Sequence, residues 1–220
     1  TSIAFQYLKK TKNPLSGGTY QTPPSVDFQL LYEIVNKRER QPLEDSTFVI
    51  HARTGDWLHL APPQQAFIDV IHKYKLNKRF KKCGIVYAKQ PWRACLSGLG
   101  KNTHNKDVKD ALGHTPEENL SKSEEYILKL KTKIENLNLS CDLISGSVDD
   151  DFTLLATSKC YVVGCRGFSW LAASINPNEV IWDIQGPPLF AWDPYKTQLR
   201  EGYENQQNNR NERTQYKIKN

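Results

Sequence analysis

Apolar residues recur along this chain in two alternating patterns. The first is a short, nearly continuous apolar run, which is typical of a strand buried on both faces of a sheet. It occurs at residues 47–52, 83–88, 141–145, 160–164 and 179–184. The second is an apolar spacing of three and four residues, which predicts amphipathic helices. It occurs at residues 25–40, 62–74, 115–137, 147–158 and 168–175.

The alternation of these strands and helices predicts an α/β fold built from right-handed βαβ units. We expect residues 46–200 to form a Rossmann-like parallel sheet with helices on both faces. Residues 1–45 are interpreted as a partial amino-terminal lobe, and residues 201–220 as a polar, flexible tail rich in Asn and Gln. Residues 90–114 show little periodicity, which predicts a long loop.

The composition indicates neither a membrane span nor a zinc site. No stretch approaches the roughly 18 consecutive apolar residues that a membrane span needs. The five Cys have no CxxC spacing of the kind typical of zinc sites. The chain contains no Met, even at position 1. We therefore expect a soluble cytoplasmic protein if the chain is complete, and a protein of the Golgi or endoplasmic reticulum lumen if an amino-terminal anchor has been lost.

The net charge of the 220-residue chain is +6, which suits a protein that meets anionic partners. Nucleotide phosphates, acidic glycans and nucleic acids all have this character. The densest basic run, residues 75–82, is interpreted as the solvated end of a helix. Aromatic residues do not interleave with its Lys and Arg in a way that favours stacking on bases. We therefore expect no nucleic-acid partner, although a basic nucleic-acid-binding protein remains a competing hypothesis.

Polar residues follow the first predicted strand at once. His51, Arg53, Gly55 and Asp56 come directly after the apolar run 48–50. Ligands of open parallel sheets bind at the carboxyl ends of strands, and the planar donors of Arg match phosphate oxygens. His51 and Arg53 share one face, because side chains alternate along a strand. The alternative is that Arg53 and Asp56 form an ion pair that only closes the turn.

A second cluster follows the fourth predicted strand. Gly164 ends this strand, Arg166 and Gly167 come next, and a helix begins near Phe168. The amino end of a helix presents unpaired N–H groups and the positive end of the helix dipole, which together favour an anion. The alternative is an ordinary strand-to-helix turn, in which Phe168 belongs to the core.

Three segments, in order, resemble motifs of the α-1,2-fucosyltransferase and protein O-fucosyltransferase superfamily. "VIHARTGDW" resembles its H-x-R-x-G-D stretch, and "QQAFIDVIHKY" resembles the helix that follows. "DDDFTLLATSKCYVVGCRGFSWLAASINP" resembles its Asp-Phe-x-Leu-Met helix, Cys-containing strand and Ser-Ser-Phe-Ser-Trp-Trp motif. The three segments cover roughly residues 46–184, and their shared order is more specific than any one of them.

This resemblance implies a GT-B glycosyltransferase fold with a reduced or truncated amino-terminal lobe. It implies inverting transfer of fucose or a related sugar from a nucleotide-diphosphate donor, without a metal or other cofactor. Arg53 matches the Arg that holds the donor β-phosphate, and Asp151 matches the Asp near the nucleoside. Phe168 and Ser169 match the Phe and Ser of the last motif.

The chain departs from these motifs where the donor phosphates would lie. Arg166 and Gly167 replace two Ser of the family motif, and Thr54 stands where many members have a second Arg. The expected donor-binding residues are Arg53, Asp151, Arg166, Gly167, Phe168 and Ser169. A GDP-linked sugar is favoured as the donor, and a UDP-linked sugar is the alternative.

The acceptor is expected to be a glycan or glycoprotein. The expected catalytic residues are Arg53, His51 and Asp56. The acceptor base is His51, Asp56 or one Asp of residues 149–151, and these alternatives stay open. A non-catalytic module that binds a nucleotide or a glycan is a competing hypothesis, because such a module would keep Arg53 without a base.

Overall fold

The computed structural model describes residues 27–38, 43–54, 58, 61–88, 116–164 and 167–184, together with residues 3, 6 and 10. Two of the predicted site residues, Asp56 and Arg166, lie outside this part of the chain. The predicted loop 90–114 and the predicted tail 201–220 also lie outside it.

Helices and strands alternate in the described part as the sequence predicts. The strands are β1 (Thr47–His51), β2 (Lys82–Val86), β3 (Ser140–Ile144), β4 (Cys160–Val162) and β5 (Glu179–Ile181). The helices are α1 (Phe28–Asn36), α2 (Gln64–Lys73), α3 (Leu76–Arg79), α4 (Pro116–Glu135), α5 (Val148–Thr157) and α6 (Gly167–Ile175). The sequence did not predict α3 as a separate turn, which arises because Lys75 adopts the left-handed backbone conformation, with a φ of 53°.

The five strands form one parallel sheet in the order β3-β2-β1-β4-β5. The chain winds outward from β1 to β3, and then returns to place β4 on the other side of β1. The expected α/β, Rossmann-like sheet is therefore confirmed. In such doubly wound sheets the ligand crevice lies at the carboxyl ends of the strands where the winding reverses. Here that point is between β1 and β4.

Helices cover both faces of the sheet and enclose two hydrophobic cores. On one face α1, α5 and α6 pack over residues such as Val49 and Tyr161. On the other face α2, α3 and α4 pack over Phe48 and Ile50. The described part of residues 1–45 contributes to the first core, because Ile3 and the buried side of α1 belong to it. That part of the predicted amino-terminal lobe therefore packs directly on the sheet.

A buried amide, Asn176, joins the end of α6 to the end of α5. The side chain of Asn176 is 1% exposed. Its Nδ2 donates to the carbonyl oxygens of Leu155 and Ser158, at 2.8 and 3.0 Å. Its Oδ1 accepts from the N–H of Asn178 at 2.7 Å. One side chain thus satisfies backbone groups on both sides of β4, and a buried backbone group without a partner is costly.

Replacing Asn176 by Ala should lower the free energy of unfolding by roughly 1–3 kcal/mol, because the carbonyl groups of Leu155 and Ser158 each lose one donor and the N–H of Asn178 loses its acceptor. Urea denaturation measures this loss as a lower midpoint with an unchanged slope. Asn136→Ala, at an exposed position after α4, is the matched control and should cost less than about 0.5 kcal/mol. Equal losses in the two variants would show that the Asn176 amide does not hold these elements together.

Candidate functional site

The first candidate residues lie at the carboxyl end of β1, in the centre of the sheet. All five residues of β1 are buried, and the strand lies between β2 and β4. His51 is its last residue, and Arg53 follows as a half-buried side chain. A buried central strand fixes its own end, so Arg53 starts from a rigid backbone at the point where the winding reverses.

The end of β4 approaches the end of β1 so closely that only glycine fits. A Cβ atom added to Gly164 would lie 2.0 Å from the carbonyl oxygen of His51 and 3.4 Å from its Nδ1. Backbone atoms of the partner strand are the obstacle, and they cannot rotate away as a flexible side chain would. The two clusters singled out from the sequence therefore meet at one edge of the sheet.

The start of α6 completes this arrangement through Phe168. The ring of Phe168 lies 5.5 Å from the imidazole of His51, measured between centroids. It lies 5.5 Å from the ring of Phe152 on α5, in an edge-to-face contact. Phe168 thus links the end of β1 to both helices, and the amino end of α6 lies beside His51. The free N–H groups at such a helix end favour an anion.

Burial makes His51 a neutral imidazole. Its side chain is 6% exposed, and burial together with the charge of Arg53 lowers the pKa of His51 to about 3. Among the described residues, its Nδ1 finds no hydrogen-bond partner, and neither does the buried Oγ1 of Thr54. Buried polar atoms of this kind cost stability unless something satisfies them. Two such atoms on either side of Arg53 indicate a functional position.

Asp151 lies in the first turn of α5, where its carboxylate has a backbone partner in the segment that follows β3. Its side chain is 9% exposed, and Oδ1 accepts from the N–H of Gly146 at 2.9 Å. Ser147, the first residue of the predicted helix 147–158, caps α5 by accepting a hydrogen bond from the N–H of Asp150. Asp151 therefore shapes the turn between β3 and α5.

Ser169 is the predicted site residue whose side chain points into the core. It is fully buried, and its hydroxyl forms a hydrogen bond with the hydroxyl of Tyr161 on β4. Successive helical residues point about 100° apart, so Phe168 and Ser169 cannot face the same neighbours. The structure places the ring of Phe168 beside His51 and leaves only the backbone of Ser169 near the start of α6.

Two of the four acidic candidates for the acceptor base, Asp149 and Asp150, hold α1 in place. Arg38, just after α1, contacts a carboxylate oxygen of Asp149 at 3.2 Å and one of Asp150 at 3.4 Å. Asp149 also accepts from the N–H of Ile3 at 3.0 Å. These contacts give both carboxylates a structural role at the amino end of α5.

A cavity of about 290 Å³ lies elsewhere, between α1, α5 and the segment that precedes β1. Its charged lining residues are already paired, as in the Lys159–Asp45 contact of 2.6 Å. The hydroxyls of Thr153 and Thr157 donate to carbonyl oxygens within α5. This cavity therefore has fewer unsatisfied polar groups to offer a ligand than the end of β1, despite its volume.

Metal-ligating residues do not cluster in the described part of the chain: no group of three or more His, Cys, Asp and Glu there is arranged to hold a metal ion. Cys83, Cys141 and Cys160 are buried thiols. Burial raises the pKa of Cys160 to about 12. Among the helices that the structure describes, none is long and apolar enough to cross a membrane.

The fold and this edge define an α/β protein with a doubly wound parallel sheet and a candidate anion site where the winding reverses. Comparison of the chain with protein-family models, with curated protein sequences and with solved structures finds no match. The resemblance to fucosyltransferases therefore stays an expectation from the sequence motifs.

Sequence reasoning missed three features of the site. It treated Thr54 only as a departure from a motif, Gly164 only as the end of a strand, and Phe152 only as part of a motif. A Thr that comes directly after a strand predicted to be buried indicates, from the sequence alone, a buried hydroxyl. The contact of Gly164 with His51 depends on which strands are neighbours, and the sequence does not state that order.

Replacing Gly164 by Ala should separate the ends of β1 and β4, because the new methyl group meets a backbone oxygen. We expect a lower melting temperature and weaker binding of nucleoside diphosphates. Gly84→Ala in β2 is the matched control, because its Cβ would meet only the flexible tip of Ile144, at 2.8 Å. If Gly164→Ala were tolerated as well as Gly84→Ala, the close approach of the two strand ends would be wrong.

The neutral state of His51 should appear in the pH dependence of stability. An unfolded His has a pKa of about 6.5, so the unfolded chain binds a proton that the folded state, with a pKa of about 3, does not bind. The contribution of His51 is fully present above about pH 6.5 and is lost as the pH falls towards 3. Between pH 7 and pH 5 it should cost about 2 kcal/mol.

Urea denaturation of the wild type and His51→Gln at both pH values isolates this contribution. The variant should lose less stability than the wild type between pH 7 and pH 5. His72→Gln, at an exposed position of α2, is the matched control. Parallel losses in the wild type and His51→Gln would mean that His51 is charged or solvated in the folded protein.

Proposed function

We propose that this chain is a glycosyltransferase that binds the diphosphate of a nucleotide-sugar between the carboxyl ends of β1 and β4. The observation that carries the proposal is that His51, which senses the charge of Arg53, contacts Phe168 at the start of α6 where the winding of the sheet reverses. A guanidinium and a helix amino end each favour an anion, and both follow strands that are neighbours in the sheet. The sequence motifs described above support the same assignment.

Transfer of a sugar requires the bond between the anomeric carbon and the donor phosphate to break. Negative charge then develops on the departing diphosphate, and fixed donors that await this charge stabilise the transition state. Arg53 supplies such donors, and Arg166 is proposed to add a second cation. The resemblance favours inversion at the anomeric carbon, within a GT-B-like architecture and without a required metal.

The acceptor hydroxyl needs a base, and we assign this role to Asp56 because the other candidates are buried or engaged. His51 is a weak base because burial and Arg53 lower its pKa to about 3. Asp149 and Asp150 are engaged by Arg38. Asp151 is buried and accepts from the N–H of Gly146. Asp56 lies three residues after Arg53 in the sequence. We therefore assign His51 to shaping the site as a neutral ring, and Asp56 to proton transfer.

The donor is proposed to be a GDP-linked sugar, fucose or a related one, with a UDP-linked sugar as the alternative. The acceptor is proposed to be a glycan or glycoprotein. The second candidate function is a non-catalytic nucleotide- or glycan-binding module, which the same arrangement of Arg53 would support. Turnover of a nucleotide-sugar separates the two.

Replacing Arg53 by Ala should lower the single-turnover rate by on the order of 10²–10³ with a smaller effect on donor affinity, because the guanidinium acts most strongly as the bond breaks. Arg53→Lys should recover only part of the rate, since Lys keeps the charge and loses the planar fork. The measurements are single-turnover transfer from a panel of nucleotide-sugars, donor affinity and melting temperature.

Arg79→Ala is the matched control, because Arg79 pairs with Glu179 away from the end of β1. A folded Arg53→Ala protein that transfers sugar at the wild-type rate would overturn the role of Arg53. Binding of nucleotide-sugars that depends on Arg53 without any turnover would instead favour the non-catalytic module.

A further inference from the structure

The basic residues of this chain are unevenly distributed. Between residues 70 and 106 there are ten Lys and Arg and no Asp or Glu, and the remaining 20 Lys and Arg are outnumbered by 24 Asp and Glu. The structure describes residues 70–88 of this block, which contain the end of α2, all of α3 and all of β2. Charge concentrated in this way is typical of a surface that meets an anionic partner.

Three exposed lysines of this block, Lys75, Lys78 and Lys81, form what we call the α3 lysine patch. None of the three forms an ion pair with another described residue. The carboxylates that reach the described part of this block bind its other three cations there, in the pairs Lys73–Asp183, Arg79–Glu179 and Lys82–Glu44. The positive charge of the patch is therefore available to a partner.

The backbone that carries the patch is tied to the core. Leu76 of α3 is fully buried, and the ring of Phe80 packs on Phe48 with centroids 5.6 Å apart. The N–H of Lys81 donates to the carbonyl oxygen of Ser46 at 2.9 Å, just before β1 begins. The three lysines thus extend from a backbone of fixed shape.

The patch lies at the amino ends of the strands, and the candidate site lies at their carboxyl ends. Lys81 precedes the amino end of β2, which is paired in register with the amino end of β1. His51 and Arg53 lie at the carboxyl end of β1. A strand of five residues spans about 16 Å, so one partner can cover the patch while the site stays open.

We propose that the α3 lysine patch docks this protein on a membrane surface rich in anionic phospholipid headgroups. Lysine ammonium groups act as compact point charges, which suits a planar array of phosphates better than recognition of one defined ligand. Each lysine near such a surface contributes about fivefold to the affinity. The one apolar side chain of α3, Leu76, is buried in the core and therefore does not insert into the membrane.

A membrane surface fits the patch better than a nucleic acid. The rings of Tyr74 and Phe80 are half-buried and lie under Lys73 and Arg79, at 5.5 and 5.2 Å from the cations, so their faces are not open for stacking on bases. Reading base edges in the major groove requires a longer helix or a β-ribbon, whereas α3 has four residues.

Vesicle co-sedimentation of the full chain tests this docking. The wild type should bind vesicles of phosphatidylcholine that contain one-third phosphatidylserine, and should not bind vesicles of phosphatidylcholine alone. The combined variant Lys75→Gln, Lys78→Gln, Lys81→Gln should bind the anionic vesicles on the order of 100-fold more weakly. Circular dichroism and the melting temperature check that each variant is folded.

The matched control is Lys37→Gln, Lys122→Gln, Lys129→Gln, which removes the same charge from exposed positions outside the patch. This control should keep most of the vesicle affinity. Equal losses in the two triple variants would show that net charge acts instead of the patch. Absence of vesicle binding by the wild type, or displacement from vesicles by duplex DNA or RNA at equal phosphate concentration, would overturn the proposal.

Discussion

The candidate site depends on one close backbone contact, in which the Cα of Gly164 lies against the carbonyl of His51. This contact brings β4 beside β1 at the point where the winding of the sheet reverses. It also brings the start of α6 to the end of β1, so that Phe168 reaches the imidazole of His51. A side chain on residue 164 would separate the groups that form the candidate anion site.

The electrostatics of the site follow from the same contact. The imidazole of His51 is buried beside Arg53, and its depressed pKa keeps it neutral. Its Nδ1 and the hydroxyl of Thr54 have no partner among the described residues, an arrangement that opposes folding. Packed cores on both faces of the sheet offset this cost. Local rules of stability are often broken at functional sites, and the end of β1 breaks them, as a candidate site would.

Hydrophobic periodicity predicted all five strands and the Rossmann-like class, because both cores depend on the residues that it marks. It also placed the start of α5 at Ser147, the residue that caps this helix. Periodicity alone did not predict that β4 lies beside β1, that Ser169 bonds to Tyr161, or that Lys75 separates α3 from α2. The first two features are contacts between separate helices and strands. The third is a backbone conformation that Lys rarely adopts.

The most direct test of the site is a nuclear magnetic resonance titration of the isotope-labelled chain with GDP and with UDP. Binding between the ends of β1 and β4 predicts that the largest shifts occur at the imidazole of His51, at Gly164 and at the first amides of α6. Shifts concentrated around Thr157 and Lys159 would place the ligand in the cavity beside α5 and contradict the assigned site. Absence of shifts with either nucleotide would contradict the assignment of a nucleotide-sugar donor.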